Sequence, residues 1–348
     1  MDLPYTLSEL RRGIRDPSKV RRELVSWGNQ LRYAESNIRK EFHQRDNNSK
    51  YGLVLNWGLH KRDHWTAAWY PFFVKRFVER FDAQIVTSQR SYDRKSDNLE
   101  YLFAFGSRNK KGPTLKYDTD LDQTVLLFVS DPHNRSEFLE HYIKDNEIDR
   151  VVSPYYYPVL HHLPGLEEER LEHFPWPVPE KFVVDPTDIE YRDDDVLRVS
   201  GAGGSEAYEL RDWVREQPMV DGYQNSGTQN KVMSNEEYYE WLRNFDCQVA
   251  AGSLKDNWQY VVPKYYEIAA GGSLLFAQYC RDLERVGFDE SNSVIFHSRD
   301  DFTQKAKAYL DDPDSYLDRR RRGAELVAER HTISDRLDQI ETLFHSRV

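Results

Sequence analysis

The feature that most constrains this chain is a stiff seam near its middle, His173-Phe174-Pro175-Trp176-Pro177-Val178-Pro179. Three prolines at alternate positions restrict the backbone, remove amide donors and forbid helix, which leaves an extended path. The same rhythm recurs on both sides of it. Before the seam, strands are expected at 51–56, 83–87, 99–105, 124–130 and 149–153. A helix carrying Trp65, Trp69, Phe72, Phe73, Phe77 and Phe81 is expected over 64–81, and another at about 134–144. After the seam, strands are expected at 195–200, 247–250, 273–276 and 293–296, with helices between them and two more at about 313–330 and 332–344. Strands alternating with helices make parallel sheets covered on both faces. A chain of 348 residues also exceeds the size at which single cores stop growing. The seam therefore reads as the linker between two α/β domains. The expected division is an N-terminal helical arm at 1–48, a first domain at 49–175, a second at 176–330 and a closing helix at 331–348.

Charge and composition narrow the classes of function. The formal net charge of -11 lacks the basic surface that nucleic-acid binding needs to displace counterions. The two cysteines, Cys247 and Cys280, have no CxxC or Cys/His spacing, so no disulfide framework is expected and a reducing compartment fits better. No apolar run reaches the length of a membrane span, and the N-terminus lacks the apolar region of a secretion signal. A cytoplasmic protein is expected. Aromatic residues make up 14% of the chain, which reads first as an aromatic-rich core and second as a cleft that stacks rings on sugar or base faces.

In the arm, Leu24, Trp27, Leu31 and Ile38 recur at roughly helical spacing among Arg11, Arg12, Arg15, Lys19, Arg21 and Arg22. One reading is a helix packed on the body with a solvated charged face. The other is a peripheral helix drawn to anionic lipid heads on the inner face of a membrane, weakened by the interleaved Glu9, Asp16 and Glu23. The basic run 319–322 reads as an exposed helix face. The acidic run 185–195 reads as a solvated loop, since no His or Cys accompanies it.

Two segments can carry chemistry in the second domain. Ser200-Gly201-Ala202-Gly203-Gly204-Ser205 lies between an expected strand and helix, where glycine lets backbone approach a phosphate closely, and Gly201 is its candidate contact. Glu206 occupies the last glycine position of a dinucleotide fingerprint, so the loop is equally a plain turn. The other segment runs from Val262-Pro263-Lys264 through Glu267 to Gly271-Gly272-Ser273. Lys264 and Glu267 are three apart and share one helical face. A carboxylate there can accept ribose hydroxyls, and a lysine can neutralise diphosphate. An ordinary ion pair before a glycine cap explains the same residues equally well.

The second segment resembles the C-terminal domain of group 1 glycosyltransferases, and in particular the spore-maturation-type branch. The likeness continues through Ser293-Val294-Ile295-Phe296, Asp300-Asp301-Phe302, Tyr309-Leu310, Asp312-Pro313 and Glu329-Arg330-His331-Thr332 with Arg336, covering about residues 195–345. It implies the GT-B fold, two Rossmann-like domains facing each other across a cleft. It implies a nucleotide-sugar donor in the second domain and a glycan, lipid-linked or protein acceptor in the first. By position, Glu267 would bind ribose, Gly271, Gly272 and Ser273 would lie by the diphosphate, and Lys264 or Arg211 would offset phosphate charge. No bound metal or other cofactor is implied, which suits the lack of a DxD motif at a strand end. Many retaining members carry a second Glu eight residues before the ribose-binding one, and here that position is Gln259. This departure keeps a catalytically silent binding protein open as the alternative.

In the first domain, polar residues follow expected strands, where α/β proteins bind ligands. His60, Asp63 and His64 follow the first strand, and Asp131 and His133 follow the strand ending at Ser130. His60, Asp131 and His133 are the candidate catalytic residues, as general base or as contacts that steady the sugar. Adjacent His161 and His162 point apart and make no metal pair. An oxidoreductase would need GxGxxG after the first strand, where Trp57-Gly58-Leu59-His60 stands instead.

Overall fold

The computed structural model describes residues 17–43, 48–61, 68–106, 111–192, 196–201, 203–224 and 234–346. Asp63, His64 and the first arginines of the arm lie outside these residues. The described part of the arm is mainly a helix, α1 (Pro17–His43). The first domain then runs β1 (Tyr51–Val54), α2 (Trp57–His60), α3 (Tyr70–Phe81), β2 (Gln84–Val86), α4 (Gln89–Lys95), β3 (Tyr101–Phe105), β4 (Thr124–Phe128), α5 (Ser136–Asp145), β5 (Arg150–Ser153), α6 (Tyr156–His162) and β6 (Leu171–His173). The second runs β7 (Leu197–Gly201), α7 (Glu209–Arg215), β8 (Val220–Gln224), α8 (Asn235–Leu242), β9 (Cys247–Ala250), α9 (Pro263–Ala270), β10 (Leu274–Gln278), α10 (Leu283–Val286), β11 (Val294–Phe296), α11 (Arg299–Asp311), α12 (Leu317–Arg330) and α13 (Ile333–His345).

Each domain is built on one parallel sheet. The orders are β2-β1-β3-β4-β5-β6 and β11-β10-β9-β7-β8. Their strands read as nearly unbroken apolar runs because both faces are covered, as Leu53, Phe103, Leu126, Val199 and Phe276 illustrate with almost no exposure. In α3 the residues Phe73, Phe77 and Phe81 recur every four positions and bury one stripe, and the helix ends where Asp82 turns left-handed at φ 49°. Strand order reverses at β1 in the first sheet and β7 in the second, so the carboxyl ends of these strands define the two ligand-facing edges.

Three expectations change. The seam is not a bare linker: its first residue, His173, pairs with Ser153 as the end of β6, and Phe174, Trp176 and Val178 are buried. The intervening prolines Pro175, Pro177 and Pro179 are buried as well, so the seam from 174 to 179 is packed into the body. The closing helix α13 is likewise no separate unit. Val178 N–H donates to the His331 carbonyl at 2.8 Å, and Ile333 N–H donates to the Val178 carbonyl at 3.2 Å. From that crossing α13 returns to the first domain, where Phe344 meets Tyr101 at 5.3 Å between ring centroids and Asp338 pairs with Arg80 at 2.6 Å. The basic run on α12 is not uniformly exposed either. Arg320 is buried and pairs with fully buried Asp246 at 2.6 Å, which a single apolar-versus-polar pattern cannot foretell.

Candidate functional site

The carboxyl ends of the second sheet supply one wall. Ser200 and Gly201 close β7, and Arg211 rises from α7 beside them. The Gly201 backbone has φ 117°, and a Cβ there would lie 2.8 Å from Arg211 Nη1, so only glycine fits between strand and guanidinium. Arg211 is buried and donates from Nε to the Ala251 carbonyl at 2.8 Å. Burial lowers its pKa from the usual arginine range.

Helix α9 adds Lys264 and Glu267. Pro263 at its start is suited to the first turn, where an amide would lack a helical partner. Lys264 Nζ donates to Ser200 Oγ at 3.0 Å and to Tyr238 Oη at 2.9 Å. Tyr238, from α8, in turn donates to Glu267 Oε2 at 2.6 Å. A tyrosine hydroxyl therefore joins the lysine to the carboxylate. Burial opposes both charges: it pulls the Lys264 ammonium down to about 8 and pushes Glu267 up, with Lys264 and the Tyr238 hydrogen bond acting against that rise. Lys264 near 8 is still mostly charged at neutral pH, and a ligand phosphate favours that charged form further.

The first domain faces this wall. Asp131 follows β4 and pairs with Lys111 at 3.0 Å. Burial lowers the Lys111 pKa, but Tyr70 and Asp131 outweigh it and the net shift is upward, so the lysine is charged. His133 Nδ1 lies 3.1 Å from Tyr260 Oη of the second domain, and its ring packs edge-on against Trp258 at 4.7 Å. Tyr155 completes this aromatic bridge, 4.7 Å from the Tyr260 ring. Gln259 sits within it and turns back into its own loop, donating to the Leu254 carbonyl at 3.3 Å.

The structure thus brings Gly201, Arg211, Lys264 and Glu267 together on one side, and Asp131 and His133 opposite. It does not bring in the remaining candidates. Gly271, Gly272 and Ser273 lie at the far end of α9, about 10 Å along its axis from Lys264 and at the amino end of β10. There Gly272 takes φ 76°, and a Cβ would meet Val184 at 2.9 Å, while Ser273 Oγ donates to the Phe245 carbonyl at 2.6 Å. These residues make a chain reversal at the edge of the sheet opposite the strand carboxyl ends. His60 is fully buried between Tyr70 and Phe105, its ring 4.5 and 4.4 Å from theirs. It faces the Lys111 carbonyl at 2.8 Å from Nε2. It braces the loop that delivers Lys111.

Tyr238, Lys111, Trp258 and Tyr260 were not legible as site residues. The Ser234/Glu237 capping box marks the start of α8, but nothing in sequence says which of its tyrosines reaches Glu267. Among the described residues no group of three or more His, Cys, Asp or Glu could hold a metal ion, and no helix is long and apolar enough to cross a membrane.

Residues 190–342 match the family described as glycosyl transferase-like. Those residues, which make up most of the second domain, are similar to that family. No curated protein matches the chain. Among solved structures, sucrose-phosphate synthase from Thermosynechococcus elongatus is similar over 78% of this chain and 78% of that one, with 12% identity and a TM-score of 0.52. Anabaena HepE in complex with UDP-glucose is similar over 77% and 88%, with 9% identity and a TM-score of 0.51. A glycosyltransferase from Rickettsia africae is similar over 78% and 86%, with 10% identity and a TM-score of 0.50. Against TarM the chain spans little more than half of that protein's length, 55%. The molecule has the GT-B fold, two Rossmann-like domains facing each other.

Proposed function

We propose that this protein transfers a glycosyl group from a nucleoside-diphosphate sugar to a glycan, lipid-linked or protein acceptor. The observation that carries the reading is the convergence of Lys264, Tyr238, Glu267 and Arg211 at the carboxyl ends of the second sheet, opposite His133. Glu267 accepts the two ribose hydroxyls in place of the Tyr238 phenol. Lys264 and Arg211 take the diphosphate. As the bond from the anomeric carbon to the diphosphate breaks, negative charge grows on the leaving oxygen, and these two cations with the amino end of α9 stabilise it. With two fixed cations on the leaving group, no metal is needed there. Asp131 and His133 meet the acceptor and the sugar from the first domain. The spore-maturation-type branch and a reducing, cytoplasmic setting complete the proposal, the latter fitting a sequence with two cysteines and no CxxC spacing.

One observation favours a second reading. Gln259 stands where retaining relatives carry a carboxylate and is tied into its own loop, which suits a protein that binds a nucleotide sugar without transferring it. A thermal-shift series against UDP, GDP, CDP, dTDP and NAD, with EDTA present, tests the site. A ligand that binds only the native state raises the melting temperature. One nucleoside diphosphate is expected to do so, and Glu267→Ala to abolish the effect while remaining folded. An unchanged shift in Glu267→Ala, or a shift with NAD alone, sinks the assignment. Turnover of the matching sugar nucleotide then separates transfer from silent binding.

A further inference from the structure

Helix α1 is attached to the body the wrong way round for a soluble amphipathic helix. Its polar side faces the protein. Asn37 Oδ1 accepts from the Gly58 amide at 2.9 Å, and Glu41 Oε1 accepts from Thr87 Oγ1 at 2.5 Å and from Ser88 Oγ at 2.6 Å. Lys40 sits over the Trp57 ring at 4.5 Å. The approach is close: a Cβ on Gly58 would lie 2.5 Å from the Tyr33 Cα. Its apolar side faces outward. Leu31, Ile38 and Phe42, separated by seven and four residues, share one helical face and are 71%, 54% and 77% exposed. A helix that exists only to cover a globular core buries that stripe.

Charge and area say what covers it. Residues 17–43 carry six lysines and arginines against three acids, a net +3, while the remainder of the chain carries 42 against 56, a net -14. Arg32 and Arg39 are exposed beside the stripe, at the edge where long basic side chains reach lipid headgroups; Arg39 also pairs at 2.6 Å with Glu35, an exposed acid on the stripe's own face. Three side chains cover well under half of the roughly 800 Å² per partner that a stable dimer takes, but a helix lying in a membrane interface needs only to sink its apolar face by a side chain's depth.

We infer that α1 is a membrane-docking element: Leu31, Ile38 and Phe42 insert among the acyl chains of an anionic bilayer while Arg32 and Arg39 meet its headgroups. The acidic body is held off the surface and the basic arm drawn to it. The helix lies beside Asn56–Trp57 and Thr87–Ser88, at the carboxyl ends of β1 and β2. Docking therefore turns the acceptor-side edge of the first sheet toward lipid. That consequence rests on the proposed transfer reaction and points to a lipid-borne acceptor; the docking itself does not.

The test is flotation of the full chain with vesicles of phosphatidylcholine alone or mixed with an equal part of phosphatidylglycerol. Wild type is expected to float with the anionic vesicles and to be released by salt, since screening weakens headgroup attraction. Leu31→Ser/Ile38→Ser/Phe42→Ser is expected to lose binding at least about tenfold, and Arg32→Gln/Arg39→Gln to lose its preference for the anionic vesicles. Unchanged melting temperatures and nucleotide thermal shifts in both variants separate lost docking from unfolding or a failed donor site. Wild type that does not float, a triple variant that floats undiminished, or a wild-type dimer that the triple variant turns into monomer by light scattering overturns the inference.

Discussion

Replacing Tyr238 by Phe isolates the hydroxyl that joins Lys264 to Glu267. The ring stays, and with it the contact of Lys264 at 5.0 Å from the ring centre. Two hydrogen bonds go, one of 2.6 Å to a carboxylate and one of 2.9 Å from an ammonium. Lys264 keeps its 3.0 Å bond to Ser200, so most of the loss falls on the buried carboxylate. A hydrogen bond to a charged group contributes about 1.5–3 kcal/mol, and Glu267 meets part of the loss by taking up a proton, since burial already raises its pKa. The expected destabilisation is about 2 kcal/mol, or about 4–8 °C in melting temperature for a domain of this size. The matching nucleoside diphosphate should reverse the order. Its ribose hydroxyls supply what the phenol no longer gives, and no phenol needs to be displaced. Thermal denaturation of both proteins with and without nucleotide reads both effects, and the ligand-induced rise should be larger in the variant. A variant that melts within about 1 °C of wild type refutes the energetic argument. A variant that loses the nucleotide shift refutes the idea that phenol and ribose share the same carboxylate.

Other expectations follow from the same geometry. Gly272→Ala forces a Cβ against Val184 and Ile189 at φ 76° and should cost about 2–4 kcal/mol, while nucleotide affinity measured by titration calorimetry stays unchanged; a selective loss of affinity would return the Gly271-Gly272 pair to the donor site. Arg320→Met removes the closer of two arginines paired with fully buried Asp246, leaving Arg192 at 3.5 Å, and should destabilise by about 3 kcal/mol in urea unfolding, with Arg320→Met/Asp246→Asn milder than the single change. His173 and His331 are held neutral by burial at about 4 and about 3, so the unfolded chain binds more protons below its ordinary histidine range. Their stability contribution is complete above about pH 6.5 and is lost as pH falls toward 4. Asp282, pushed up to about 6 by burial, works in the opposite sense, as do Glu267 and Asp149, also raised by burial, while His162, lowered by burial, adds to the histidines; the two histidine shifts are the largest, and they predict a falling melting temperature from pH 6.5 to 4. Finally, a ligand phosphate favours the charged form of Lys264, which burial sets at about 8. Nucleotide affinity should therefore fall as pH rises above 8, and a flat profile between pH 7 and 9.5 removes Lys264 from the phosphate site.

The sequence made the layered α/β plan readable because apolar strand runs and amphipathic helices are local signals. It also made the placing of Lys264 and Glu267 on one face readable, since residues three apart on a helix share a face. What it could not resolve was direction along that helix. Lys264 to Ser273 is one continuous motif in sequence, but α9 separates its two ends in space. The first turn stands at the carboxyl ends of the strands, where ligands bind, and Gly271-Gly272 reverses the chain at the opposite edge of the sheet. A glycine pair is ambiguous in sequence because the freedom that admits a phosphate also admits a left-handed turn. Only the neighbouring Val184 and Ile189, some eighty residues upstream, decide which use is made of it. His60 is hard to place for a related reason: following a strand puts a residue near the ligand edge, but Tyr70 and Phe105 close over this one. Tyr238 is the converse case, a residue with no signal of its own that becomes central because a buried carboxylate must have a donor. Reading such a site from sequence therefore works for residues whose partners are one helical turn away, and fails where the partner that fixes the role comes from another element.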